Sequence, residues 1–285
     1  MDVFIVGCGY VGREIAKRMQ NADYSVLAAT RRAESARQLA EQGIQSLAFD
    51  WHGEAELRAI GKVENLIIAV SHAAIEGILP HDTHVRGLEN FFRQLRPSPS
   101  RVIYLSTTGV MADSKRSEWV NEESAVEPQR AGSVAAWEAE KWLLNERREG
   151  ELVILRLAGV YGPNRVPNLD SIRKQQPLSV EPDSYLNLIH VEDIAGIVQQ
   201  ACIKRHERTR YMVSDGHPVL RKQYYEWICS RANLPSPIFS ETRSGPGRGT
   251  GNKRVSNRQL VEDFDCEFRY PSYREGLLPL LETTD

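Results

Sequence analysis

Gly7-Cys8-Gly9-Tyr10-Val11-Gly12 puts three glycines in the order G-x-G-x-x-G, a spacing that can hold a dinucleotide diphosphate against bare backbone. Gly7 suits a tight turn, Gly9 lets the chain approach a pyrophosphate, and Gly12 lets a helix lie close to its strand. Free amides at the helix start, from Tyr10 and Val11 onward, would face the phosphates in a field that favours negative charge. The elements this chemistry needs are legible on both sides. Val3 to Val6 is an apolar run fit for one buried strand, and Ile15, Ala16 and Met19 recur at helical spacing. Glycine turns also serve plain structure, so the position between strand and helix carries the functional reading.

The second strand bears on which dinucleotide. In NAD-selective folds an acidic residue ends that strand and accepts hydrogen bonds from the adenosine ribose. Here Thr30 takes the place, followed by Arg31 and Arg32. A neutral residue removes repulsion against a 2′-phosphate, and arginine offers a planar fork that matches phosphate. NADP(H) is therefore the expected coenzyme, with NAD(H) the alternative; two arginines opening a solvated helix is the bland reading. Asp50, at the end of the third strand, is placed to meet the adenine edge.

Strand and helix signals alternate through the first 160 or so residues, as in a parallel sheet covered on both faces. Ser25–Thr30, Ser46–Asp50, Leu66–Val70, Val102–Leu105 and Leu152–Leu157 read as strands. Helices are expected after the second strand (Ala36, Leu39, Ala40), over Val85–Leu95, and from about Gly132 to Glu146. Beyond Tyr161-Gly162-Pro163 the alternation loosens. Residues 1–163 are expected to form the dinucleotide-binding unit and 164–285 mainly a C-terminal substrate lobe, with 186–200 returning to the first. Leu186–His190 and Tyr211–Val213 read as strands, with helices from Val191 and from Tyr224 to Ala232. The run Ser244 to Gly251 lacks the Lys-Ser/Thr of a nucleotide-phosphate loop and reads as a mobile loop or lid.

Composition excludes several classes. With 285 residues and a net charge of −2, the chain has no basic footprint for nucleic acid or an anionic membrane surface. No apolar run approaches a membrane span. The start lacks a basic leader with a cleavage site, and its apolar residues belong to the first strand. Cys8, Cys202, Cys229 and Cys266 are scattered, with no C-x-x-C and no histidine at ligand spacing, so free thiols in a reducing cytoplasm and no metal are expected.

Several pieces together resemble the extended short-chain dehydrogenases/reductases, the NAD-dependent epimerase/dehydratase family. They are the glycine turn, YLSTTGV (Tyr104–Val110), VNEES (Val120–Ser124), ILRLAGVYGP (Ile154–Pro163), LIHVEDIAG (Leu188–Gly196), and NKRVSNRQL with RYPSYREGL near the end. The resemblance implies a Rossmann-type, doubly wound parallel α/β sheet with a small C-terminal substrate lobe. It also implies a homodimer formed through two helices of the larger unit, and a small-molecule substrate. Thr107 matches the hydroxyl that contacts the reacting carbonyl or hydroxyl group. Ser71, after the fourth strand, falls beside the nicotinamide ribose, and Gly159 with its neighbours frames the nicotinamide. The shorter glycine motif resembles an atypical subgroup that includes non-catalytic NADP-binding regulators.

Family enzymes usually carry Tyr-x-x-x-Lys on the helix after the fifth strand, where the phenol is acid or base. The stretch Pro128 to Lys141 puts Gly132 and Ala136 in those slots, or Ser133 and Trp137 after a slip of one, and no choice restores the pair. A strand-end hydroxyl such as Thr107 is also a common turn former. Ser106 is expected to face the sheet, His190 to serve a strand–helix junction, and Glu138 and Glu140 to lie on a helix's outer face. His72, His81 and His84 could titrate near neutrality. Ser133 has no base assigned to it. Lys253 and Arg254 could hold an anionic substrate. Two readings stand: an NADP(H)-dependent oxidoreductase or epimerase on a hydroxyl or carbonyl compound, sugar-nucleotide-like, or a dinucleotide sensor without turnover.

Overall fold

A computed structural model of the protein describes residues 1–51, 60–71, 79–95, 97–113, 117–146, 150–240 and 251–282. The chain runs β1 (Val3–Val6), α1 (Tyr10–Asn21), β2 (Val26–Thr30), α2 (Ala33–Glu41), β3 (Ser46–Ala48), β4 (Asn65–Ile68), α3 (Gly87–Gln94), β5 (Arg101–Thr107), β6 (Trp119–Val120), α4 (Ala131–Glu146), β7 (Glu151–Leu157) and β8 (Gly159–Tyr161). It continues through α5 (Leu169–Arg173), β9 (Tyr185–Leu186), β10 (Leu188–His190), α6 (Val191–Ile203), β11 (Arg210–Val213), β12 (Val219–Leu220), α7 (Arg221–Arg231), β13 (Arg254–Val255), α8 (Arg258–Phe264) and α9 (Tyr273–Glu282).

Seven strands form one parallel sheet in the order β11-β7-β5-β4-β1-β2-β3. Its inner strands are near-continuous apolar runs because helices cover both faces. All four residues of β1 and of β4 are buried. On one face Val3, Ile5, Ile67, Ile103 and Leu155 pack with Ile15 and Met19 of α1 and Ile194 and Val198 of α6. On the other, Phe4, Leu66, Ile68 and Tyr104 meet Leu88 and Phe91 of α3 and Ala139 and Leu143 of α4. The fold is thus the expected doubly wound Rossmann-type α/β sheet.

The outermost strand β11 comes from beyond residue 163 and pairs with β7 from Arg210↔Ile154 to Val213↔Leu157. A separate cluster lies under the C-terminal segments, with Tyr161, Leu188, Tyr224, Ile228, Tyr273 and Leu277 at its centre. The Leu186–His190 run is two strands, β9 pairing with β12 and β10 with β8, so Asn187 is a break point. The Val85–Leu95 helix starts as a π-helical stretch over Asp82–Arg86, and α2 buries Ala36 and Leu39 while Ala40 is exposed. No helix among the described residues is long and apolar enough to cross a membrane.

Candidate functional site

Every parallel strand of the sheet ends on the same edge, and the glycine turn sits there between β1 and α1. Gly7 has φ +86°, and a Cβ on it would lie 2.6 Å from the Val70 amide nitrogen, so no other residue fits. A Cβ on Gly12 would come within 3.2 Å of the Gly7 carbonyl, which is the close strand–helix packing its position calls for. Gly9 is different: a Cβ there would meet only the Gly7 carbonyl at 3.9 Å, so the space above it is open to a ligand. The α1 start has no side-chain cap and no acid in its first turn. The amides of Tyr10, Val11 and Gly12 donate to no backbone carbonyl among the described residues. Open space, bare amides and the positive helix end together suit a diphosphate.

A cavity of about 1000 Å³ opens from this turn along the strand ends. Gly7, Gly9, Tyr10, Val11, Ser71, Thr107 and Gly159 all line it, so seven of the residues singled out in the sequence meet in one space. Thr30, Arg31, Arg32 and Asp50 do not line it. They lie on the neighbouring strand ends, where the Phe49 amide donates to the Thr30 carbonyl and sets the end of β3 beside that of β2. Both arginines are exposed and neither is ion-paired among the described residues. The Ser71 carbonyl is 3.2 Å from Nε2 of the fully buried His84, which fixes the segment after β4. His81 lies 3.7 Å from Asp82; His72 and residues 244–250 of the glycine-rich run lie outside the described residues.

Thr107 ends β5, and its Oγ1 accepts the Gly109 amide at 3.0 Å. It is therefore a turn former, and its hydroxyl hydrogen, which finds no acceptor among the described residues, is left for a ligand. Ser106 is buried and donates to Glu140 across to α4. Glu140 corrects an expectation. It does not lie on an outer face: it is fully buried and ion-paired to Arg156 of β7, whose Nη2 is 2.6 Å from its Oε2. Glu138 pairs with Lys141 at 2.8 Å at the helix surface. The spacing of the buried Ala136, Ala139 and Leu143 puts Glu140 on the apolar stripe, and Arg156 interrupts an apolar strand. Those two oddities together were the available signal. Ser133 of α4 is buried and lines the cavity. No tyrosine occurs in α4.

His190 caps α6, with Nδ1 accepting the Glu192 amide at 3.2 Å; burial pushes its pKa down to about 4 and keeps it neutral. Asp193 accepts the amides of Arg269 and Tyr270, tying the C-terminal segment to α6.

The far wall of the cavity is cationic. Lys253 lines it with a side chain only 11% exposed, donating to the Met111 carbonyl at 2.9 Å and to Asp113 at 3.1 Å. Burial lowers its pKa. Arg254 does not line the cavity, contrary to the expectation that it holds substrate. Its guanidinium lies over Trp119 and Tyr185, at 5.1 and 5.4 Å from the ring centres, and Nε donates to the Ser117 carbonyl. Arg221, which the sequence did not single out, lines the cavity instead. It is 5% exposed and donates from Nη1 to Ser184 Oγ and to the carbonyls of Tyr185 and Gly251. Arg130 and Arg165 line the same space.

No curated protein matches the chain. Among solved structures, it resembles a functionally unknown conserved protein from Silicibacter pomeroyi at 25% identity and TM-score 0.79, covering 100% of this chain and 99% of that one. A candidate NAD-dependent epimerase/dehydratase from Methylobacillus flagellatus is 26% identical with TM-score 0.79, over 99% and 97% of the two chains. The UDP-glucose 4-epimerase of Thermus thermophilus in complex with NAD, at 18% identity and TM-score 0.83 over 99% and 98%, shares the fold. The model of the NAD-dependent epimerase/dehydratase family matches residues 3–205. A glycine turn with the geometry to suit a diphosphate, the parallel sheet behind it and that match over most of the chain agree: the protein belongs to the NAD-dependent epimerase/dehydratase family.

Proposed function

We propose that the protein binds NADP(H) in preference to NAD(H) and acts as an oxidoreductase or epimerase on a hydroxyl or carbonyl compound that carries an anionic group, of the sugar-nucleotide class. The observation that carries the reading is Arg221. Its guanidinium is 5% exposed and donates to one hydroxyl and two carbonyls, and with Asp113 and Glu181 acting on it only at longer range no carboxylate pairs with it among the described residues, so a bound anion would complete it. It faces the cavity that also holds the glycine turn and Thr107, with Lys253 beside it.

When bound, the dinucleotide supplies the two-electron redox chemistry, and the protein's task is binding and orientation. The amides of Tyr10 and Val11 receive the diphosphate. Thr30 leaves room for a 2′-phosphate, which Arg31 and Arg32 neutralise. Asp50 meets the adenine edge. Ser71 and Gly159 border the nicotinamide half, and the Thr107 hydroxyl donates to the substrate oxygen. Arg221 and Lys253 draw the anionic end of the substrate to the far wall.

Fluorescence titration with NADPH and NADH tests the coenzyme half. NADPH binds more tightly in the wild type, and the double variant Arg31→Ala/Arg32→Ala loses the difference. Equal affinities in the wild type would remove the arginines from the 2′-phosphate. Absorbance screening of sugar nucleotides then tests the chemistry. The lack of a tyrosine in α4 favours a second reading, a dinucleotide sensor, and tight coenzyme binding with no turnover on any substrate would select it.

A further inference from the structure

Arg165 lies two residues beyond the Ile154–Pro163 stretch, and its placement is fixed by the turn that holds it. It closes a tight turn after β8 in which Gly162 and Arg165 exchange backbone hydrogen bonds of 3.1 and 2.9 Å. Pro163 and Asn164 fill the centre, with Asn164 at φ +60°, a position asparagine tolerates. The turn is fixed to the first residue of α1: the Tyr10 hydroxyl donates to the Pro163 carbonyl at 3.0 Å. A Cβ on Gly162 would lie 2.8 Å from both Tyr10 Oη and Val191 Cγ1, so the turn fits its seat without slack. From there the Arg165 guanidinium reaches over the Tyr10 ring, 5.3 Å from its centre.

Arg165 is exposed, lines the cavity together with Gly7, Gly9 and Val11, and has no carboxylate partner among the described residues. The acids whose fields reach Tyr10 are already taken, Glu14 by Lys17 at 3.0 Å and Glu192 by Arg269 at 2.7 Å. A guanidinium over an aromatic face keeps its N–H fork available in its own plane, and that fork matches two phosphate oxygens. The cavity it borders is the one that opens above the bare α1 amides.

We propose that Arg165 binds the dinucleotide diphosphate from the side opposite the α1 amides, with Tyr10 as both its platform and the latch that holds its turn. This rests on the dinucleotide reading of the glycine turn. It separates two arginine roles along one ligand: Arg31 and Arg32 at the adenosine end, outside the cavity, and Arg165 over its middle.

The test compares dissociation constants of NADH and NADPH, and of ADP-ribose by competition, for the wild type, Arg165→Gln, Arg165→Lys and an exposed control, Arg258→Ala. Loss of a charge-assisted bidentate contact predicts about ten- to a hundredfold weaker binding of all three ligands to Arg165→Gln. Arg165→Lys recovers part of it, the control matches the wild type, and the salt dependence of binding flattens in Arg165→Gln. Melting without ligand is unchanged, since the side chain is exposed, while the rise in melting temperature caused by coenzyme shrinks. Binding by Arg165→Gln within twofold of the wild type overturns the proposal and leaves the glycine turn standing. A loss confined to NADPH also overturns it, because the arginine would then read the 2′-phosphate. A wild type that takes up neither coenzyme overturns both.

Discussion

Asp215 follows β11 at 3% exposure, with Oδ1 accepting the His217 amide at 2.9 Å and Oδ2 without a hydrogen-bond partner among the described residues. Burial, with the nearby charges of Asp193 and Glu275 adding to it, raises its pKa from 3.8 to about 7. Between those values the folded protein holds a proton that the unfolded chain releases, so this group's contribution falls as pH rises from about 4 to 7 and is level above. Asp193, raised to about 6, acts in the same direction, and His190, lowered to about 4, acts in the opposite one. Comparison with Asp215→Asn isolates the single group, since the amide oxygen keeps the His217 contact. The variant is expected to gain on the wild type from pH 4 to 7, by roughly 4 kcal/mol at most given the size of the shift. Melting curves across that range check it, and a difference that does not change with pH would mean that Asp215 is ionised in the folded state throughout.

At the scale of elements, α4 is held to the sheet by a buried charge pair as well as by apolar packing. Glu140 receives Arg156 of β7 and Ser106 of β5, while Arg156 Nη1 also lies 3.1 Å from Met111 Sδ, just beyond the Thr107 turn. Removing one partner leaves a charge uncompensated in the core. Arg156→Met is expected to cost about 3–5 kcal/mol, and Arg156→Met/Glu140→Leu to recover most of it. Denaturant unfolding of the wild type, Arg156→Met, Glu140→Leu and the double variant measures this; a double variant as unstable as the sum of both singles would show that the cost is packing alone. This lock also marks the limit of what could be read from sequence. The central strands were legible because burial on both faces makes them uninterrupted apolar runs. The glycine turn was legible because its constraint is local. Trp119–Val120 and Arg254–Val255 were not, since two-residue strands exist only through their mutual pairing across more than a hundred positions. Arg221 was illegible for the same reason: only the fold turns the start of α7 into a cavity wall. Glu140 differs from Glu138 only in its angle around the α4 axis, and residue type alone does not separate the two.

For the whole molecule, the question is whether the two halves of the chain behave as one body. The larger apolar cluster runs from Val3 to Phe264 and includes Ile194 and Val198 of α6 and Tyr211 and Val213 of β11. The central sheet therefore takes its last strand from the C-terminal half, and α6 closes one of its faces. The cavity is likewise shared, with the glycine turn and Thr107 on one side and Arg221 and Lys253 on the other. With β11 and α6 built into the sheet's own core, melting of the C-terminal half would strip the sheet of an edge strand and of part of one face, although a second apolar cluster lies under the C-terminal segments. A single cooperative unfolding transition is expected, and coenzyme should move all of it upward. At a ligand concentration a hundred times the dissociation constant the gain is about 2.7 kcal/mol, a shift of a few degrees for a chain of this size. Calorimetry with and without NADPH is the measurement. Two resolved transitions, of which NADPH shifts only one, would show that the wall bearing Arg221 and Lys253 folds independently of the glycine turn, and ligand at one could not then preorganise the other.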